Sequence, residues 1–295
     1  MLILSPQKLG AFLVLAATIG FAAKTILTKL AYRYGVDPLT LLTLRMTVSG
    51  LFFLTVFLFN VSRGHWQIKL TKKQWLTVFL MGIGGYYLSS YFDFEGLYYI
   101  DANLGRMILF LYPTMVVIIN AFITRTSISF QARVSLAVCY LGLFLMMLPN
   151  LGQPQRNFFV GSAFIMASAL SYAAYLVGVD YFFKKLAINF FVSLIFGISS
   201  LAVFIHFVIL RPMSSFIQPS EVYFIVIIMA VFSTVVPIYA LSAGLALIGA
   251  PRAATLSMIG PVFTLFMGIL ILDETVVFIQ IVGMMMMIIG VSRIK

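Results

Sequence analysis

Charge is what this sequence has least of. Only 9% of its 295 residues are Asp, Glu, Lys or Arg, against about 25% in a soluble globular chain. With 62% hydrophobic residues the chain cannot cover a water-facing surface, so lipid is its expected solvent. Cysteine is nearly missing too. Cys139 stands alone, which excludes an internal disulfide and any cysteine-built metal site. His65 and His206 are too few and too far apart to suggest a metal cluster. A Gly-rich phosphate loop, a nucleophile–base set and metal-ligand spacing are all missing. No catalytic residue, metal or cofactor is therefore expected, and the chain does not read as an enzyme.

Acidic residues are scarcest, 8 against 19 Lys and Arg, for a net charge of +11. In a soluble protein that balance would suggest nucleic acid. Here the positive-inside rule accounts for it, and no nucleic-acid partner is expected. What the chain does have is long apolar runs, about 20 residues each, as a bilayer core of about 30 Å demands of a helix. They do not alternate with period two, so helices fit and a membrane β-barrel does not. Predicted spans cover about 9–32, 38–60, 75–99, 102–123, 130–149, 159–181, 187–210, 221–243, 250–272 and 276–292. Lys8 precedes an apolar run longer than a signal-peptide core, without a convincing cleavage site, so the run is expected to be a retained first span. With the N-terminus inside, Lys8, Arg63, Lys69, Lys72, Lys73, Arg125, Arg133, Lys184, Lys185, Arg252, Arg293 and Lys295 fall in inner segments. Arg33, Arg156 and Arg211 fall outside. That asymmetry predicts a multi-pass protein of the cell inner membrane with both termini cytoplasmic.

The two halves resemble each other. Sliding "LYYIDANLGRMILFLYPTMVVII" onto "LALIGAPRAATLSMIGPVFTLFM" without gaps matches Leu97 with Leu245, Ile100 with Ile248, Ala102 with Ala250 and Pro113 with Pro261. In the same register Gly142 meets Gly290. Five spans per half is an odd number, so the second half would enter the membrane upside down. The expected fold class is all-α, an integral membrane protein of ten transmembrane helices in two inverted five-helix repeats, 1–150 and 151–295. Such repeats mark secondary transporters, whose site lies near the midplane between the halves.

"LSAGLALIGAPRAATLSMIGPVFTLFMGILILDETVVFIQIVGMMMMIIGV", Leu241 to Val291, carries a further signal. Gly249-Ala250, Pro261-Val262-Phe263, Gly268, Leu272, Glu274, Gln280, Gly283 and Gly290 stand in order and at a recognisable spacing, and Lys29, Pro38 and Arg45 fit as well. In these residues the chain resembles the ten-span EamA-like branch of the drug/metabolite transporter superfamily, over essentially its whole length. The resemblance implies secondary transport of small metabolites, amino acids and their relatives among them. It departs from the family pattern at Phe21-Ala22-Ala23-Lys24 in span one, at Thr126 where the second half has Glu274, and at Asp180.

Charges inside spans are the candidate site, because a cation at the bilayer centre costs about 2.5–3.5 kcal/mol on the insertion scale. Lys29 lies near the outer end of span one, where it can snorkel to the interface. Lys24 lies about 7 Å past the span's middle, where a cavity-lining role is expected. Arg45 lies about 10 Å into span two, where a structural pairing or a ligand carboxylate would suit it. Arg106 is expected to pair with Asp101 or Glu95, or to grip a carboxylate. Tyr87, Tyr91, Glu95 and Tyr99 recur every four residues. They form either an interfacial tyrosine belt or a cation-binding stripe. Ser89 and Asp93 repeat that spacing. Tyr172 and Tyr175 occupy the positions in span six that correspond to span one. Glu274 and Asp273 read as a solvated outer turn. The Met284–Met287 run reads as a packing face.

The expected substrate is a small zwitterion, its carboxylate on Lys24 or Arg45 and its amino group on Glu95 and the tyrosines. The alternative is an exporter of hydrophobic organic cations acting through Glu95. The expected partners are the substrate and the lipid bilayer. A monomer is the default assembly and a homodimer the alternative.

Overall fold

The computed structural model describes residues 5–63, 71–150, 156–183, 188–272 and 276–293. The expectations placed on His65, Lys69, Lys184, Lys185, Asp273, Glu274 and Lys295 lie outside the described residues, as does the side chain of Asp180. Among the described residues there are no strands, and ten helical stretches follow one another. These are α1 (Pro6–Tyr32), α2 (Pro38–Ser62), α3 (72–99), α4 (102–124), α5 (Phe130–Met147), α6 (Phe158–Phe183), α7 (Ile188–Leu210), α8 (220–248), α9 (250–272) and α10 (Phe278–Ser292). Eight of them, α1, α2 and α4 to α9, are long and apolar enough to cross a membrane. Of the other two, α3 carries Asp93 and Glu95, and α10 is apolar but only 15 residues long.

Local chemistry sets several ends. Ser5, Asp37, Asp101 and Ser129 each accept a hydrogen bond from a first-turn backbone N–H of the following helix, satisfying donors the helix itself cannot. Pro6 and Pro38 occupy first turns, where the missing N–H costs nothing. α8 runs on to Ile248, five residues past the predicted 243, and stops at Gly249. There φ is +78°, a conformation costly for any residue with a Cβ.

Four helices are broken inside the apolar layer, and the breaks come in pairs. α3 passes through a π-helical stretch at Met81–Leu88, and α8 does the same at Val231–Val235. α4 is interrupted at Phe110 and Leu111, ahead of Pro113. α9 tightens into a 3₁₀ turn at Ser257–Ile259, ahead of Pro261. Proline lacks the N–H that would continue the preceding helix, which explains the second pair. The shift that carries Pro113 onto Pro261 also superposes the other breaks.

Packing follows the same exchange. α1 packs on α8 and α9, while α6 packs on α3 and α4; α2 packs on α7, and α5 on α10. Lipid tails give apolar helices no hydrophobic reason to associate, so close contact at small residues does that work. A Cβ on Gly142 of α5 would fall 2.6 Å from the Gly283 carbonyl oxygen of α10, and one on Gly283 would fall 2.5 Å from that of Gly142. Gly96 of α3 meets Gly161 of α6 across a similar close approach, and Gly244 of α8 meets Gly10 of α1. Large exposed side chains such as Phe122, Phe159, Ile209 and Phe232 form the outer surface, as lipid contact requires.

Candidate functional site

Inside the bundle α1, α3, α4, α6 and α9 enclose a cavity of about 70 Å³, room for several waters. Its polar wall is made of Lys24, Ser89, Ser90, Asp93, Arg106 and Ser257. Phe21, Tyr86, Phe110, Tyr112 and Tyr172 supply the aromatic wall.

Its centre is an ion pair. Lys24 Nζ of α1 donates to Asp93 Oδ2 of α3 at 2.6 Å, with the two side chains 15% and 4% exposed. In a low-dielectric interior neither charge is tolerable alone, and together each removes most of the other's cost. Arg45 and Arg106 lie within electrostatic reach of the same carboxylate. Arg106, 5% exposed, donates from Nη2 to the Phe21 carbonyl oxygen at 3.2 Å, while its Nε has no partner. Arg45, 1% exposed, sits behind the cavity wall beside Tyr86. Its guanidinium carbon is 4.9 Å from the Phe94 ring centroid, Nη1 is 3.5 Å from Thr234 Oγ1, and its Nε is also unpartnered.

The sequence-predicted residues thus divide between the cavity and its surroundings. Lys24 and Tyr172 line it, and Tyr175 packs beside Tyr172 with ring centroids 6.1 Å apart. Arg45 is one side chain away. Tyr87, Tyr91 and Glu95 form a separate group with His206 of α7. Tyr87 Oη lies 2.8 Å from His206 Nδ1, the Tyr91 ring meets the imidazole edge-on at 4.8 Å, and Glu95 lies beside Tyr91. Tyr99 faces a different neighbour, stacked on Phe164 of α6 at 6.2 Å. Residues four apart on an α-helix drift by about 40° per step, so a stripe twelve residues long cannot stay on one face.

Several cavity residues stand outside the predicted set, polar or ionisable groups on α3 and α4 among them. Asp93 and Ser89 had a legible signal, an acid and a small hydroxyl four apart within an apolar run, and Arg106 had its buried charge. Tyr86 and Tyr112 had none. Arg106 turns toward the cavity, away from the outer turn where it was expected to pair. Lys29 also differs from a snorkelling lysine. Its ammonium donates to the carbonyl oxygens of Leu97 at 2.6 Å and Ile100 at 2.8 Å, capping the C-terminal end of α3. The two lysines that look out of place in α1 both hold α3, one by its carboxylate and one by its last turn.

Among the described residues no three His, Cys, Asp or Glu side chains come together as a metal site. The buried Cys139 lies at the α5–α10 contact, with Met287 of the methionine run packed opposite.

Comparison with known proteins agrees with this architecture. The model of the EamA-like transporter family matches twice, over residues 8–148 and 159–294. The "Uncharacterized transporter YcbK" of Bacillus subtilis (strain 168) is 30% identical over 289 residues, covering 93% of this chain and 88% of that protein. A protein of known crystal structure, 14% identical, superposes with a TM-score of 0.78 over 96% of this chain and 95% of its own; this likeness concerns the fold alone. The chain belongs to the EamA-like transporter family and is a multi-pass membrane transporter.

Proposed function

We propose that this protein is a secondary transporter of the cell inner membrane that moves small metabolites, amino acids or close derivatives, by alternating access around the Lys24–Asp93 cavity. Residues 1–150 and 151–295 act as two inverted five-helix repeats, ten spans in all. The twofold family match, the paired helix breaks and the exchanged packing partners support that reading. Both termini are cytoplasmic on the strength of the Lys and Arg asymmetry in the loops. Side chains from segments assigned to one side do meet. Arg211 Nε lies 3.2 Å from Asp37 Oδ1, and Gln131 Nε2 donates to the Arg293 carbonyl oxygen at 2.6 Å.

The observation that carries the proposal is the buried pair in the cavity wall. A zwitterion can insert between its members, its carboxylate on Lys24 and its ammonium on Asp93, and leave neither protein charge uncompensated. A ligand shifts a conformational equilibrium only through different affinity for the two states. Here the difference comes from the pair that ties α1 to α3, which is made directly in one arrangement and through the substrate in the other.

The test is counterflow in proteoliposomes loaded with a panel of amino acids, their derivatives and organic cations. Saturable exchange of one or more amino compounds, lost in Lys24→Ala and Asp93→Asn, is expected. Exchange of carboxylate-free cations alone, dependent on Glu95, would replace this reading with a cation exporter. Flux of no compound would refute transport.

A further inference from the structure

The charges around the cavity do not balance. Among the described residues Lys24 and Arg106 line it against a single carboxylate, Asp93, and Arg45 stands behind Tyr86 as a third cation. Asp93 is already committed to Lys24 at 2.6 Å. Arg106 is left with a backbone carbonyl as its hydrogen-bond acceptor and an Nε without a partner. In hydrocarbon surroundings a guanidinium without a carboxylate in hydrogen-bond contact is unfavourable, and such a residue normally marks a ligand or ion path. Hydroxyls of Ser89, Ser90, Ser257 and Thr264 are spread around the same space. Those of Ser89, Ser257 and Thr264 already donate to the carbonyl oxygens of Ser168, Ala253 and Gly260, so the burden of recognising an anion falls on the charged groups.

We infer that Arg106 is the anchor for a second acidic group, so the compound this site takes carries a net negative charge and presents a carboxylate or phosphate oxyanion beyond any ammonium. The inference rests on the transport reading for the site and narrows its substrate class. A neutral amino acid satisfies Lys24 and Asp93 and leaves the Arg106 charge as it was. A dicarboxylate, an acidic amino acid or a phosphate ester neutralises it as well. Arginine suits the task because its planar fork can make two parallel hydrogen bonds to one oxyanion. The aromatic wall of Tyr112, Tyr172 and Phe110 lowers the local dielectric, which strengthens any such pairing.

The experiment measures thermal unfolding of the full chain in detergent, titrated with L-glutamate, succinate and inorganic phosphate. The controls are L-glutamine, L-alanine and tetramethylammonium. Glutamate and glutamine have nearly the same shape and differ by one negative charge. A ligand that binds only the folded state raises Tm by mass action, so affinity is read without knowing the direction of transport. At least one anion is expected to half-saturate at a concentration about tenfold or more below that of glutamine, equivalent to about 1.4 kcal/mol. Arg106→Gln should erase that margin and Arg106→Lys should retain part of it. Carboxylates alone stabilising, or phosphate alone, would each support the inference and name the oxyanion. Equal or stronger stabilisation by glutamine, alanine or tetramethylammonium overturns it, as does no stabilisation by any anion. These outcomes come from the unmodified protein and hold even where an Arg106 variant fails to fold. Counterflow separates the two readings. An anion that stabilises but is never exchanged sinks transport and keeps the anion site. Exchange of glutamine and alanine without preference for glutamate keeps transport and sinks the anion site.

Discussion

The first five helices and the last five share a plan but not a chemistry. The register that matches Pro113 with Pro261 sets Arg45 of α2 against Ser193 of α7, Asp93 of α3 against Leu241 of α8, and Arg106 of α4 against Ala254 of α9. Facing Lys24 of α1, α6 contributes Tyr172 to the cavity. The π-helical stretches, proline breaks and glycine contacts recur in both halves, whereas among the described residues the charged groups of the cavity wall, Lys24, Asp93 and Arg106, all belong to the first. The two halves therefore share a backbone plan, while the charge of the cavity sits in the first half alone.

The largest effect that could sharpen this contrast comes from the charged half. Lys24→Ala leaves Asp93 buried without its cation, and removing one member of a buried pair costs about 3–5 kcal/mol. A large drop in Tm is expected together with loss of exchange. An unchanged Tm and unchanged flux would mean that the pair does not hold α1 to α3.

The shared plan can be tested at neighbouring glycines in α3. A Cβ on Gly85 would fall 2.6 Å from the Tyr175 side chain of α6, while one on Gly84 meets nothing within 4 Å. Gly85→Ala should destabilise by about 1–3 kcal/mol through overpacking. Gly84→Ala should be neutral or slightly stabilising, because alanine loses less backbone freedom than glycine. Equal melting temperatures for the two variants would contradict the α3–α6 contact through the π-helical stretch.

The smallest effect is expected in the aromatic group outside the cavity. Tyr87→Phe removes the hydrogen bond to His206, worth about 0.5–1.5 kcal/mol. It should leave the apparent affinity for any exchanged substrate unchanged. A shift in that affinity greater than tenfold, about 1.4 kcal/mol, would move the site toward Glu95.

Much of this was readable from residues alone. Long apolar runs placed the helices because lipid demands about 20 apolar residues per span. Pro113 and Pro261 were matched between the halves, but the breaks in α4 and α9 just ahead of them were not foreseen in spans read as continuous. Lys24, Arg45 and Arg106 stood out because charge in an apolar run is expensive. The site itself was harder to place. The four-residue spacing of Tyr87, Tyr91, Glu95 and Tyr99 drew attention to one flank of α3, and the cavity opens on another. A sequence period tells which residues share a face, but not which neighbour that face meets. The π-helical stretches were not legible, since neither MGIGGYYL nor VFSTV contains a residue that forces the longer turn. Nor could spacing tell that Lys24 and Asp93, 69 positions apart, would meet.

The measurement that bears most directly on the central claim uses the paired substitution Lys24→Met with Asp93→Leu, assayed for both Tm and counterflow. Replacing a buried ion pair with apolar side chains of similar size is often neutral or stabilising, so the folded structure should survive. The account predicts a Tm close to that of the unmodified protein and no substrate-dependent exchange. Exchange at the unmodified rate by a normally folded double variant would show that this cavity is not where the substrate binds.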